Sequence, residues 1–224
     1  MKDENVMVVG GTRGLGRAVA DAARAAGARV TTVARSGAVA GDATDEAFAD
    51  KVLAEHRPRL LVVTAGAVPV MRPLTEHSWE TFSTNWNADV RIAFVWLRAA
   101  MRLPLAPGSR VIVFGSAAEL HSGSPLSGGY AGAKATIRMI TGYAAAAAED
   151  LGITMTTVLP TITPGTGVGA TAMAAYGRRS GPTPEAVATA VIALPTGSGA
   201  YAWQGDGLRA LGHAAALGDP SDAP

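Results

Sequence analysis

A short apolar run, residues 6–9, leads directly into Gly10-Gly11-Thr12-Arg13-Gly14-Leu15-Gly16, and a helix-like stretch over 15–26 follows until Gly27 ends it. Glycines placed where a strand must turn sharply into a helix leave backbone N–H groups uncovered and aim the positive end of the helix dipole at whatever sits in the turn. A pyrophosphate fits that position, with Thr12, Arg13 and Leu15 in the loop around it, and a Cβ at Gly14 or Gly16 is expected to block its approach. A tight turn alone can require two glycines. The weight of the signal therefore lies in its place, at the first strand-to-helix junction of an alternating pattern.

That alternation runs along nearly the whole chain. Strands are predicted over 29–34, 60–64, 110–115, 154–159 and 200–203, with a short one within 37–41, and helices over 45–56, 129–150 and 185–194. Ser78 is a candidate N-cap for a further long helix ending near Arg102. The pattern predicts an α/β fold: a Rossmann-type doubly wound parallel sheet in a single domain over 1–211, with 212–224 a loose tail. The Gly-, Pro- and Thr-rich segment after Pro160, up to Pro184, has one helical patch over 170–176 and reads as a mobile lid.

Composition narrows the function. The 19 basic and 18 acidic residues leave a net charge of +1, which gives no electrostatic footprint for nucleic acid or an anionic membrane. Absence of cysteine excludes disulfides, thiolate nucleophiles and Cys-ligated zinc, and fits a reducing compartment. No apolar run approaches the roughly 18 residues of a membrane span, and the opening Met1-Lys2-Asp3-Glu4-Asn5 has no apolar stretch behind it, so a cytoplasmic protein is expected. His56, His77, His121 and His213 show no ligand spacing, and no metal site is expected; His121 reads as an exposed loop residue. Trp79, Trp86 and Trp96 are predicted to share one stripe of the long helix, suited to core packing or to a dimer contact.

The residues fit for chemistry lie in the middle of the chain. Tyr130 and Lys134 fall at i and i+4 on one helical face. A phenol of ordinary pKa about 10 is a poor acid–base catalyst at neutral pH, and a neighbouring ammonium favours its ionised form. Lys134 is one of only three lysines, which makes an incidental pairing less economical. Ser116, at the end of the preceding strand, can hydrogen-bond a substrate carbonyl across the same cleft. After the second strand, where an acid would accept both ribose hydroxyls of NAD, the chain reads Val33-Ala34-Arg35-Ser36. A guanidinium and a hydroxyl there, with Arg13 opposite, suit a 2′-phosphate and hence NADP.

These motifs together resemble the short-chain dehydrogenase/reductase family over nearly the whole chain. Gly10, Gly14 and Gly16 match its TGxxxGxG loop, with Val9 in place of Thr; Asp42, followed by Ala43, matches its adenine-contacting acid; Ala65 and Gly66 match the end of its NNAG motif. Ser116, Tyr130 and Lys134 match its catalytic Ser and YxxxK. The resemblance implies Tyr130 as proton donor or acceptor, Lys134 as holder of the ribose, Ser116 as polariser of the carbonyl, and a small carbonyl or alcohol as substrate. It also implies a homodimer or homotetramer. The departures are Val63-Thr64 for the NNAG asparagines and Pro160-Thr161 for a Pro-Gly pair, with Ile162 and Thr163 beyond it near the nicotinamide. The family's helical Asn, which anchors a proton relay, aligns with Asp89; a shifted helix register would use Asn87 instead, and Asn85 is close by. The reading is an NADPH-dependent reductase of a ketone or aldehyde, or the reverse alcohol dehydrogenase. The altered relay and NNAG positions keep open an alternative that binds NADP(H) without net redox work, a cyclase, isomerase or sensor.

Overall fold

In the computed structural model, residues 1–120, 125–177 and 180–212 are described. Eight strands form one sheet in the order β3-β2-β1-β4-β5-β6-β7-β8: β1 Asn5–Val9, β2 Arg29–Ala34, β3 Val39–Ala40, β4 Leu60–Val63, β5 Arg110–Phe114, β6 Thr154–Leu159, β7 Gly199–Gln204 and β8 Gly207–Ala210. All neighbours are parallel except β7 and β8. The helices are α1 Gly14–Ala25, α2 Glu46–His56, α3 Trp79–Phe82, α4 Arg91–Arg102, α5 Gly128–Ala148, α6 Gly167–Tyr176 and α7 Pro184–Ile192.

Strands buried on both faces read as continuous apolar runs, and β1, β4 and β5 do so because helices cover the sheet on both sides. One face packs Met7, Leu61 and Val113 against Leu53 of α2, Trp96 of α4 and Ile137 of α5. The other packs Val8, Val62 and Ile112 against Val19 of α1 and Val187 and Val191 of α7. The chain order reverses between β1 and β4, which opens a crevice at the carboxyl ends of the strands, the position where doubly wound sheets bind ligands. The Rossmann-type single domain expected from the alternation is the fold observed. No helix among the described residues is long and apolar enough to cross a membrane.

Two expectations need correction. The sheet does not close on the strand around Trp203: an antiparallel eighth strand follows it through a two-residue turn at Gly205 and Asp206. Nor is the stretch after Ser78 one regular helix. Ser78 does cap it, accepting from the Thr81 amide at 3.3 Å, but α3 ends at Phe82 and the turn Trp86–Val90 is π-helical before α4 begins. This extra width re-phases the helix, so the tryptophans do not share a stripe. Trp96 is fully buried, whereas Trp79 and Trp86 stand in solvent. Trp96 Nε1 donates to the Ala43 carbonyl at 3.0 Å, fixing the loop after β3 from below. The proposed tail, apart from Gly212, lies outside the described residues.

Candidate active site

The glycine loop sits where β1 enters α1. Gly10 has φ 88°, a conformation that L side chains rarely adopt, and a Cβ there would lie 2.6 Å from the Ala65 amide. Gly16 departs from its expected role. A Cβ on it would meet the Gly10 carbonyl at 2.2 Å and Thr64 Oγ1 at 2.4 Å, so this glycine permits close packing of α1 on the loop rather than access for a ligand. A Cβ on Gly14 would touch only Thr166, at 3.5 Å; its φ of 54° is what favours glycine there. Thr64, the polar survivor of the altered NNAG pair, donates to the Val9 carbonyl at 2.9 Å and so ties β4 to β1.

The loop forms one end of a continuous cleft of about 1290 Å³ over the carboxyl edge of the sheet. Every residue expected to hold a dinucleotide lines it: Gly10, Thr12, Arg13, Gly14, Leu15, Gly16, Arg35, Ser36, Asp42, Ala43, Ala65, Gly66, Tyr130, Lys134, Pro160, Ile162 and Thr163. Arg13 and Arg35 are exposed beside β1 and β2 and make no ion pair among the described residues. The amide and hydroxyl of Thr44 both donate to Asp42 Oδ1 at 2.8 Å and hold its carboxyl below the usual range, leaving an ionised acceptor at this end. The uncovered glycine loop, the exposed Arg13 and Arg35, and a volume beyond the roughly 300–1,000 Å³ of a single-ligand pocket together fit a dinucleotide with room for a second molecule.

At the other end lie Ser116, Tyr130 and Lys134. Ser116 follows β5, and its Oγ accepts from the Ala118 amide at 3.2 Å. The Ala117 amide donates to the Pro160 carbonyl at 2.9 Å, which couples the Ser116 loop to the segment after β6. Tyr130 lies in the first turn of α5, half-buried, with Lys134 Nζ 5.6 Å from its ring centroid. Lys134 is buried and donates to the Phe114 carbonyl at 3.2 Å.

Asp89 is brought to this group by the π-helical turn, yet it does not line the cleft. It stands behind Lys134, its Oδ2 3.1 Å from Nζ, and its Oδ1 accepts from the Ala67 amide at 2.8 Å. Gly66 allows this, since a Cβ there would be 2.8 Å from Asp89 Oδ2. Asn85 braces the carboxylate and donates to the Ala67 carbonyl at 3.0 Å. Asn87 bonds Ser83 instead. Asp89, the residue expected at the relay position, thus makes a direct ion pair with Lys134. Burial opposes the Lys134 charge, but Asp89, Tyr130 and Glu119 outweigh it and raise its pKa above the ordinary value.

Sequence reasoning missed two pairs here, Glu119 with Arg138 and Tyr176 with Ser127. Glu119, just beyond Ser116, has a fully buried carboxylate bonded by Arg138, and burial pushes its pKa up. Tyr176, the last residue of α6, donates its hydroxyl hydrogen to Ser127 Oγ at 3.0 Å, joining α6 to the start of α5 above the cleft. No spacing signal announces any of them, because each partner lies far away in sequence. Within the segment expected as a lid, the helical patch expected over 170–176 begins earlier, running over Gly167–Tyr176 and capped by Thr166. His121 and His213 lie outside the described residues.

The model of the NAD dependent epimerase/dehydratase family matches residues 6–199. No curated protein sequence matches the chain. Among solved structures, a dehydrogenase/reductase from Sinorhizobium meliloti 1021 superposes with TM-score 0.74 at 24% identity, over 85% of this chain and 87% of that one. A short chain dehydrogenase from Burkholderia cenocepacia J2315 in complex with NADP superposes with TM-score 0.73 at 21% identity, over 86% and 89%. A protein titled ribose-5-phosphate isomerase, from Brucella melitensis 16M, does so with TM-score 0.74 at 20% identity, over 86% and 85%. At these identities the likeness establishes the shared fold.

Proposed function

The chain belongs to the NAD dependent epimerase/dehydratase family, and from that premise we propose that it is an NADP(H)-dependent oxidoreductase that reduces a ketone or aldehyde, or oxidises the corresponding alcohol. One observation carries the reading: Ser116, Tyr130 and Lys134 share a single cleft with the glycine loop and the cations Arg13 and Arg35. NADP(H), when bound, supplies or accepts the hydride. The Gly10–Gly16 loop and the α1 dipole would hold its pyrophosphate, Arg13, Arg35 and Ser36 its 2′-phosphate, Asp42 its adenine, and Lys134 its nicotinamide ribose. Pro160, Ile162 and Thr163, which line the cleft, would border the nicotinamide.

The chain's own groups handle the proton. Ser116 donates a hydrogen bond to the substrate carbonyl oxygen, and the Tyr130 hydroxyl delivers a proton to that oxygen as it becomes an alcohol. Lys134 favours the phenolate left behind. Asp89 and Asn85 act through Lys134 as positioning residues, fixing its ammonium against Phe114 and toward Tyr130. Purified protein with NADPH and a panel of carbonyl compounds should lose absorbance at 340 nm; no consumption with any of them would contradict the reading.

Cofactor choice follows from charge. NADPH should bind more tightly than NADH, and Arg35→Asp should reverse the order, removing a phosphate partner and supplying a ribose acceptor. Fluorescence titration of both cofactors on both proteins checks this, and equal affinities in the native protein would refute it.

The protein is also proposed to pair with a second copy. Phe94 on α4 and Met139 and Tyr143 on α5 expose 49%, 63% and 80% of their surface on helices that pack against each other, a face suited to a two-fold contact. Sedimentation should give a dimer or a multiple of it, and Tyr143→Glu should shift it toward monomer. A monomeric native protein at micromolar concentration would end the proposal.

A further inference from the structure

The cleft is divided by charge. Its charged lining residues, among those described, are Arg13, Arg35, Asp42 and Lys134. The first three belong to the end formed by β1, β2 and β3. Lys134 is the exception, and its charge is already matched by Asp89 at 3.1 Å. Around Ser116 and Tyr130 the described walls are uncharged apart from Lys134, with the hydroxyls of Ser127, Thr161 and Thr163 set among apolar side chains. Val68 and Met71 come from the segment after β4, Ala118 and Pro125 from the segment between β5 and α5, and Ala172 and Tyr176 from α6. The hydroxyls of Tyr176 and Ser127 bond each other, so this pair spends polar capacity on closing the wall.

We infer that the reacting end takes an uncharged, largely apolar carbonyl compound, or its alcohol, and discriminates against carboxylates and phosphates. This rests on the oxidoreductase reading and names the substrate class for the same site. The physical reason is desolvation. A ketone needs one good hydrogen-bonding point for its oxygen, which Ser116 and Tyr130 supply, and gains from contact of its carbon skeleton with Val68, Met71 and Ala172. A carboxylate or phosphate in the same place would shed its hydration and find no unmatched cation among the described residues. Small side chains at Ala118 and Ala172 leave width for a branched or ring-bearing skeleton.

The test uses pairs of equal shape and unequal charge: acetophenone with 4-acetylbenzoate, and a medium-chain methyl ketone with the keto acid of matched length. NADPH consumption gives kcat/KM for each. Calorimetry with the protein saturated with NADP⁺, which cannot reduce a ketone, gives binding without turnover. The neutral member should lead by about 100-fold or more in kcat/KM, the size of an uncompensated buried charge, and should bind more tightly in calorimetry. Equal or better handling of the anion would overturn the inference and leave the oxidoreductase reading intact. Selective binding of the neutral member without turnover would sustain the inference and sink that reading. Binding of neither would overturn the inference.

Discussion

Tyr130→Phe is expected to lower turnover by about 10²- to 10⁴-fold while changing affinity for NADPH far less. The substitution removes the only hydroxyl that can protonate the reacting oxygen from α5 and keeps the ring. The contact of that ring with Lys134 at 5.6 Å survives, as do the bonds of Lys134 to Asp89 and the Phe114 carbonyl. Neither the glycine loop nor the cations at the far end are touched. Single-turnover absorbance at 340 nm measures the first quantity and fluorescence titration the second. Nearly native turnover would remove Tyr130 from proton transfer and favour a protein that binds the dinucleotide without net redox chemistry.

The second large effect is on stability. Asp89→Ala leaves an ammonium buried without its carboxylate, and breaking such a pair costs about 3–5 kcal/mol. The Ala67 amide and Asn85 lose an acceptor at the same time. The loss has a pH signature. In the native protein the Lys134 pKa is raised, so its contribution is fully present below the unfolded value of about 10.4 and fades only as pH climbs through the higher folded value. Without Asp89, burial, the largest single influence, is less fully opposed, and that pKa falls from its native value. The deficit of the variant is then largest at neutral pH and shrinks as pH approaches 10 or so. Urea denaturation at pH 7 and pH 9.5 measures both. Asp89→Asn, which keeps an acceptor for the Ala67 amide, should lose less. A native-like midpoint for Asp89→Ala at pH 7 would show that the pair contributes nothing.

What could be read from the sequence was what is local. β2 and β6 fall on their expected bounds because four to six consecutive apolar or β-branched residues can hardly do anything else between helices in a sheet covered on both faces. The glycine loop was legible for the same reason, although the task of Gly16 was misassigned: its neighbour is Thr64, which a linear reading does not place beside it. The fold around the site hides where distant segments meet. β8 is a short, mostly exposed strand whose identity comes from pairing with β7; only the Gly205-Asp206 loop between them hinted at a hairpin. The tryptophan stripe failed because helical phase was assumed constant through a stretch where it changes. Lys134 and Tyr130 were readable at i and i+4, whereas Glu119 with Arg138 and Ser127 with Tyr176 are separated by 19 and 49 residues.

A π-helical turn is an α-helix carrying one residue more than its pitch accommodates. Between Trp86 and Val90 that surplus decides which side chain faces Lys134. Point replacements in the turn can only prune a contact. Loss of a single residue would restore ordinary pitch and rotate the segment by about 100°, carrying the carboxylate out from behind the ammonium while every helix remained a helix. The number of residues threaded through this bend, quite apart from their chemistry, is therefore a determinant of the site, and short deletions there should be harder for the protein to absorb than substitutions.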